Sequence, residues 1–197
     1  MKESALIAQE IQGVFSGLAS RWRNLYYRLR GVKIRGYARL NRISIRGQGG
    51  DITLGSGVAL DDRVTLQCAG PARKDKLVIN SDTYINRYTV IEAHSHIEIG
   101  SYCMIGPHCY LCDALPAKPS GLSGGQPEVR EVHPIILEED VWLGAHVRVM
   151  PGVRIGRGAI IGAGAVVERD IPPDTLAVGV PARLLKLRPE FHPQCAP

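Results

Sequence analysis

The sequence predicts an all-β fold: a parallel β-helix of six-residue repeats with three short strands to each coil. An N-terminal helix precedes it and a short C-terminal helix follows it. Three observations carry this reading. First, Leu137, Leu143, Val149, Ile155, Ile161 and Val167 lie six residues apart without a break. Such a period matches neither a helix nor plain strand alternation, but it fits a short strand plus a corner. Second, another aliphatic set follows four residues later at Val141, Val147, Val153, Ala159, Ala165 and Ile171, preceded by Asp140, His146, Gly152, Gly158, Gly164 and Asp170. These residue types tolerate the left-handed backbone of a tight corner. Third, the same stride recurs upstream in Leu54, Leu60, Leu66, in Ile79, Ile85, Ile91 and in Ile99, Ile105, Leu111. Three sides close a triangular coil of about 18 residues around stacked aliphatic side chains. Five coils are expected, starting near Leu54, Ile79, Ile99, Leu137 and Ile155.

Taken in order, residues 3–30 are expected to be helical, with Leu6, Ile7, Ile11, Val14, Phe15 and Leu18 on one face. Residues 21–39 hold basic residues and no acidic ones, interleaved with Trp22, Tyr26 and Tyr27. Such a helix suits a cap over the open end of the coil, and its composition also suits contact with an anionic lipid surface. The domain organisation is then a basic amphipathic segment at 1–35, the β-helix at 36–180 with a loop inserted at 112–134, and a basic tail at 181–197. Pro172 and Pro173 end the repeat, and residues 182–189 are expected as the short tail helix. Extra chain enters between Leu66 and Ile79, between Ile91 and Ile99, and between Leu111 and Leu137. Each insertion follows the third side of a coil, so all of them leave along one edge. Loops placed on a rigid scaffold tend to carry function.

The composition is that of a folded domain, with 45% hydrophobic and 22% charged residues. A formal charge of +5 suits an anionic ligand or a membrane surface and does not point to nucleic acid. The five cysteines, an odd number, come with no recognisable secretory signal, which predicts a reducing, cytoplasmic location, at the inner membrane surface if the basic helix meets lipid. Cys109 and Cys112 form a CxxC without a second pair or a βαβ context. Their places in the repeat turn Cys103 and Cys109 inward and Cys112 outward at the root of the loop.

The C-terminal motifs are specific. Val141-Trp142-Leu143-Gly144-Ala145, Met150-Pro151-Gly152-Val153, Ile161-Gly162-Ala163-Gly164-Ala165-Val166-Val167, Asp170-Ile171-Pro172-Pro173 and Gly179-Val180-Pro181-Ala182-Arg183 follow in order. Across about residues 50–187 the chain resembles the hexapeptide-repeat acyltransferases, and most closely the sugar O-acetyltransferases. The resemblance implies a left-handed coil, against the usual right-handed crossover preference. It also implies a homotrimer, acetyl-CoA or another acyl-CoA as co-substrate in a groove between subunits, and transfer to a hydroxyl of a sugar or polysaccharide precursor. By position, Trp142 packs beside the pantetheine arm, and Gly144, Ala145 and Ala163 meet it through backbone. Arg183, Lys186 and Arg188 meet the phosphates, which need cations. Glu168 stands where many relatives have threonine.

Acyl transfer to an alcohol needs a base for the hydroxyl proton, commonly histidine. The sugar acetyltransferases carry theirs in an Asp-His-x-His stretch after the third coil. Here that place reads Leu111-Cys112-Asp113-Ala114-Leu115-Pro116, with the Asp and neither histidine. His108 and His146 are corner residues expected to stack on neighbouring coils, and His192 lies in the tail. His94, His96 and His133 fall on the insertion edge, next to Glu92 and Asp113. Serine acetyltransferases are similar there: their histidine precedes an I-x-I-G, as Glu92-Ala93-His94-Ser95-His96 precedes Ile97-Glu98-Ile99-Gly100. The expected base is His94, then His133 and His96, with Asp113 or Glu92 orienting the imidazole. His146 acting across an interface is the remaining alternative. A nucleophilic Cys112 is disfavoured, because a carboxylate neighbour raises a thiol pKa. No metal ligands are assigned, since His94-x-His96 is only weakly similar to the ligands of β-helical carbonic anhydrases. The competing reading is a β-helix that kept its scaffold and lost its base, acting as a binding or assembly partner.

Overall fold

The computed structural model describes residues 17, 19–71, 74–116 and 129–187. Three parallel sheets wrap one core as a left-handed β-helix. The first face stacks Lys33–Ile34, Ile52–Leu54, Leu77–Ile79, Ile97–Ile99, Ile135–Leu137 and Arg154–Ile155. The second stacks Arg39–Leu40, Ala59–Leu60, Tyr84–Ile85, Met104–Ile105, Trp142–Leu143, Ile160–Ile161 and Thr175–Val178. The third stacks Ser44–Arg46, Thr65–Cys68, Val90–Ala93, Tyr110–Cys112, Arg148–Val149 and Val166–Val167.

The six-residue stride works because each strand is only long enough to send one aliphatic side chain inward before the next corner. In the ladder Leu54 pairs with Ile79, Ile79 with Ile99 and Ile99 with Leu137, so like residues stack. All of these side chains are buried, as are Leu60, Ile85, Leu143, Leu66, Ile91 and Leu111. Cys103 and Cys109 point inward as expected, and burial pushes their thiols up to about 12 and about 11. Corner residues Asp140, His146, Gly152, Gly158 and Gly164 adopt left-handed φ. Asp170, at the corner from the third face to the first, does not, but the next corner does, where Asp174 stacks on Gly158.

Two features differ from the sequence expectation. A further coil begins at Lys33, ahead of the five expected. Its third side follows Leu40 after five residues rather than six, with Ile45 only partly buried, so the period hides it. The tail is not a short helix: Arg183–Leu187 is a strand, antiparallel to Thr175–Val178. A segment this short gains little from helix nucleation, whereas the last strand of the second face offers an unpaired backbone edge that antiparallel pairing satisfies.

At the other end the helix spans residues 19–29. The apolar face expected over Leu6–Leu18 lies outside the described residues. The helix does cap the first coil, through polar side chains. Ser20 Oγ accepts from Leu40 N–H at 2.9 Å, Asn24 Nδ2 donates to Ala38 O at 2.6 Å, and Tyr27 Oη donates to Ile43 O at 3.1 Å. These contacts occupy backbone groups of the exposed first rung. All three insertions leave between the third and first faces, and the long one opens as an antiparallel hairpin of Ala114–Pro116 with Val129–Val132.

Candidate active site on the insertion edge

Gln67, Glu92 and Cys112 each follow the stacked aliphatic of the third face, Leu66, Ile91 and Leu111. Glu92 pairs in register with Gln67 on one side and Cys112 on the other. The ladder therefore lines up an amide, a carboxylate and a thiol along the insertion edge. Glu92 is held from two sides: Gln67 Nε2 donates to Oε1 at 3.2 Å and the Tyr110 hydroxyl donates to Oε2 at 3.0 Å. His94 folds back so that Nε2 lies 3.1 Å from Glu92 Oε1. The pair is largely enclosed, with the side chains of His94 and Glu92 15% and 23% exposed. His94 Nδ1 has no hydrogen-bond partner among the described residues.

The loop that presents His94 is organised by Asp113, which is 0% exposed. Its Oδ1 accepts from His94 N–H, and its Oδ2 accepts from the N–H groups of Ser95 and His96, all at 2.7 Å. A carboxylate so engaged is a backbone anchor. The expectation that Asp113 orients an imidazole gives way to this: Glu92 makes that contact, and Asp113 fixes the loop. The Asp113 carbonyl also accepts from His133 N–H at 2.8 Å, which ties the root of the long insertion to the short one.

The other two histidines are placed differently. His96 Nδ1 contacts Asp75 O at 3.0 Å and its Nε2 lies 3.6 Å from Glu98. The His133 ring is more than half exposed and approaches Glu131 at 3.8 Å. Cys112 Sγ contacts Ala114 O at 3.4 Å. Burial raises the Cys112 thiol pKa, and the charges of Glu92 and Asp113 add to the rise. Burial likewise raises the Tyr110 hydroxyl, with Cys112 and Glu92 adding to it. Sequence reasoning missed Tyr110 and Gln67, although Gln67 was legible as the rung neighbour of Glu92.

The residues assigned to coenzyme A gather elsewhere. Trp142 is exposed on the second face, the face opposite the insertion edge. Gly144 and Ala145 follow that strand into the corner with the third face, and Ala163 sits one coil further along, with Gly164 N–H donating to Ala145 O at 2.8 Å. A Cβ on Gly144 would lie 2.6 Å from Ala163 N, so the stacking of coils itself demands glycine there. Arg183 is exposed at the start of the last strand, opposite Val178. The Lys186 side chain, Arg188, His192 and Cys195 lie outside the described residues. One chain therefore brings Glu92, His94, Asp113 and His133 together and holds Trp142, Gly144, Ala145 and Ala163 apart from them.

The comparisons with known proteins agree with this architecture. The family model "Bacterial transferase hexapeptide (six repeats)" matches residues 134–169. Over 53 residues the chain is 49% identical to galactoside O-acetyltransferase of Escherichia coli, covering 27% of this chain and 26% of that protein. The matches to the curated relatives span only about a quarter of their length. A hexapeptide-repeat acetyltransferase from Vibrio cholerae, crystallised with acetyl coenzyme A, is 27% identical with a TM-score of 0.60, covering 85% of this chain and 78% of that one. A point mutant of the N-acyltransferase AntD from Bacillus cereus, crystallised with dTDP and coenzyme A, is 26% identical with a TM-score of 0.66, covering 81% of this chain and 83% of that one.

Proposed function

We propose that this chain, a hexapeptide-repeat β-helix similar to known acyltransferases, moves an acyl group from coenzyme A to a hydroxyl of a sugar or polysaccharide precursor. The observation that carries the reading is the Glu92–His94 pair, enclosed on the insertion edge and fixed there by Asp113. With Nε2–H donated to Glu92, the imidazole lone pair sits on Nδ1, free to take a hydroxyl proton. The oxygen then attacks the thioester carbonyl, the intermediate expels the thiolate, and His94 returns the proton to sulfur. Glu92 stabilises the imidazolium in between. A hydroxyl needs this help more than an amine does, which favours O-acylation over the N-acylation named for AntD.

Trp142 offers a flat exposed face, Gly144, Ala145 and Ala163 let a thin pantetheine arm approach, and Arg183 supplies a cation for phosphate. Because these lie across the prism from His94, the reading requires a second subunit to bring its second face to this edge, as in a homotrimer. The helix of residues 19–29 adds a membrane contact. Trp22, Leu25, Tyr26 and Leu29 form an outward stripe at i, i+3, i+4 and i+7, up to 80% exposed, beside Arg21, Arg28 and Arg30. Among the described residues no helix is long and apolar enough to cross a membrane. Co-sedimentation with anionic but not neutral vesicles is the expected result, and equal partition to both would remove the charge argument.

The deciding experiment follows thiol release from acetyl-CoA with paired acceptors that differ only in a hydroxyl or an amino group on the sugar. Turnover with the hydroxyl acceptors supports the proposal. Turnover with the amino acceptors alone replaces it with N-acylation, and no turnover across the panel favours the scaffold reading.

A further inference from the structure

We infer that the same edge is a zinc-responsive switch, in which Glu92, His94 and Cys112 bind a divalent cation of zinc's character and thereby shut off the base. The inference rests on the reading of His94 given above. The ligand atoms of these three side chains, a carboxylate oxygen, an imidazole nitrogen and a thiol sulfur, all lie within 4.8 Å of one another. A tetrahedral zinc site has ligand–ligand edges of about 3.3 Å between nitrogen and oxygen and about 3.5 Å to sulfur, from the usual bond lengths. His94 Nε2 and Glu92 Oε1 are already 3.1 Å apart. Small rotations about the Cys112 and Glu92 side chains therefore close the shell.

The set is prearranged. Glu92 and Cys112 are register partners on adjacent rungs, so the ladder fixes their separation. The backbone of His94 is clamped by Asp113. One carboxylate, one imidazole and one thiolate make a mixed oxygen, nitrogen and sulfur set that suits zinc better than magnesium or calcium. Three protein ligands leave a fourth position for solvent, and the Tyr110 hydroxyl, which donates to Glu92 Oε2, holds that carboxylate from the side. Binding displaces the Cys112 thiol proton to solvent, and the sulfur electron pair forms the bond to the metal.

The functional consequence follows from the imidazole. Neutral histidine carries one N–H and one lone pair. Without metal, Nε2–H is donated to Glu92 and Nδ1 holds the lone pair. With metal on Nε2 the lone pair is spent there, the proton resides on Nδ1, and that nitrogen can only donate. The metal also takes the Glu92 carboxylate. The base is thus converted into a hydrogen-bond donor without any change of fold.

The test uses full-length protein stripped with a chelator and then titrated with zinc or cobalt ions. Wild type is expected to bind one ion per chain with release of a proton, and its cobalt form to show a thiolate-to-metal charge-transfer band. Loss of an outer-sphere partner already weakens metal sites about 10–100-fold, so C112S, which removes a direct ligand, should lose at least that upper figure. Acyl transfer by wild type should stop as zinc saturates the site, while whatever turnover C112S retains should be insensitive to zinc. Absence of the charge-transfer band, or equal zinc affinity in wild type and C112S, overturns the metal site whatever the activity does. One-to-one binding that depends on Cys112 but leaves turnover untouched upholds the site and overturns His94 as the base.

Discussion

Two edges of the same prism carry histidines and use them in opposite ways. On the edge between the second and third faces, residues keep the six-residue period. Arg63 lies 5.6 Å over the Tyr88 ring, Tyr88 stacks on His108 at 4.9 Å, and His108 stacks on His146 at 4.8 Å. Those ring spacings are the spacing of the coils themselves. All four residues hold left-handed φ near +60°, so each is aimed the same way as the residue a coil below. On the insertion edge the period is broken, and among the described residues there no histidine stacks on another. His94 meets a carboxylate, His96 a carbonyl, and His133 an exposed glutamate. A residue in the period inherits a neighbour like itself. A residue outside it can be given a neighbour of different chemistry, and a polarised pair such as Glu92 and His94 needs that freedom.

The largest effect expected from this contrast is at Asp113. D113A removes the acceptor of three part-buried backbone N–H bonds at once. At about 1–3 kcal/mol for each group left unsatisfied, and with some water entering, unfolding in urea should show a loss of about 3–5 kcal/mol. Turnover should fall by more than about 100-fold, because the loop no longer places His94 within reach. A loss below about 1 kcal/mol would show that the insertions hold their shape without this carboxylate, and that the two edges differ less than the geometry says.

Next comes the base itself. H94A should lower turnover by about 10²–10⁴-fold while costing about 1–2 kcal/mol of stability, since the ring is largely enclosed and Glu92 loses its contact. E92Q keeps a group that Gln67, Tyr110 and His94 can all contact but removes the charge that stabilises an imidazolium. About a tenfold loss is expected, equivalent to about 1.4 kcal/mol of transition-state stabilisation. H133A and H96A should each cost less than H94A in the same assay. If H133A costs as much, the base belongs to the root of the long insertion.

The prism was legible because its signal is repeated. Each stacked aliphatic such as Ile99 or Leu143 is one vote among many for the same stride, and the insertion edge followed from counting the excess between Leu66, Ile91, Leu111 and their successors. The first coil was not legible, because the five-residue step from Leu40 to Ile45 spoils the period. Corners at Arg63, Tyr88 and Tyr102 were silent, since these residue types do not announce a left-handed backbone. The tail strand was missed because its conformation is set by the edge it pairs with. At the site, the grouping of Glu92, His94 and Asp113 was legible from their places in the insertions. The division of labour was not, because spacing cannot say whether Asp113 spends its oxygens on a ring or on three backbone amides. Cys112 likewise looks isolated in sequence and gains its partners only through strand register.

The smallest effect is expected on the stacked edge, and it is the sharpest check on the comparison. His108 and His146 are parallel within 6° and stand at a corner with their outer sides in solvent. Stacked rings of this kind couple by about 0.5–1.5 kcal/mol beyond simple burial, and an exposed pair should sit at the low end. A double-mutant cycle of H108A and H146A at pH 8 should therefore return a coupling of about 0.5 kcal/mol. Turnover in H146A should change by less than about 0.5 kcal/mol in activation free energy, because a ring stacked on another histidine has no carboxylate to fix its tautomer. Should H146A instead abolish turnover while H94A spares it, the catalytic proton would pass along the periodic edge, and the lack of periodicity around His94 would reflect loop packing alone.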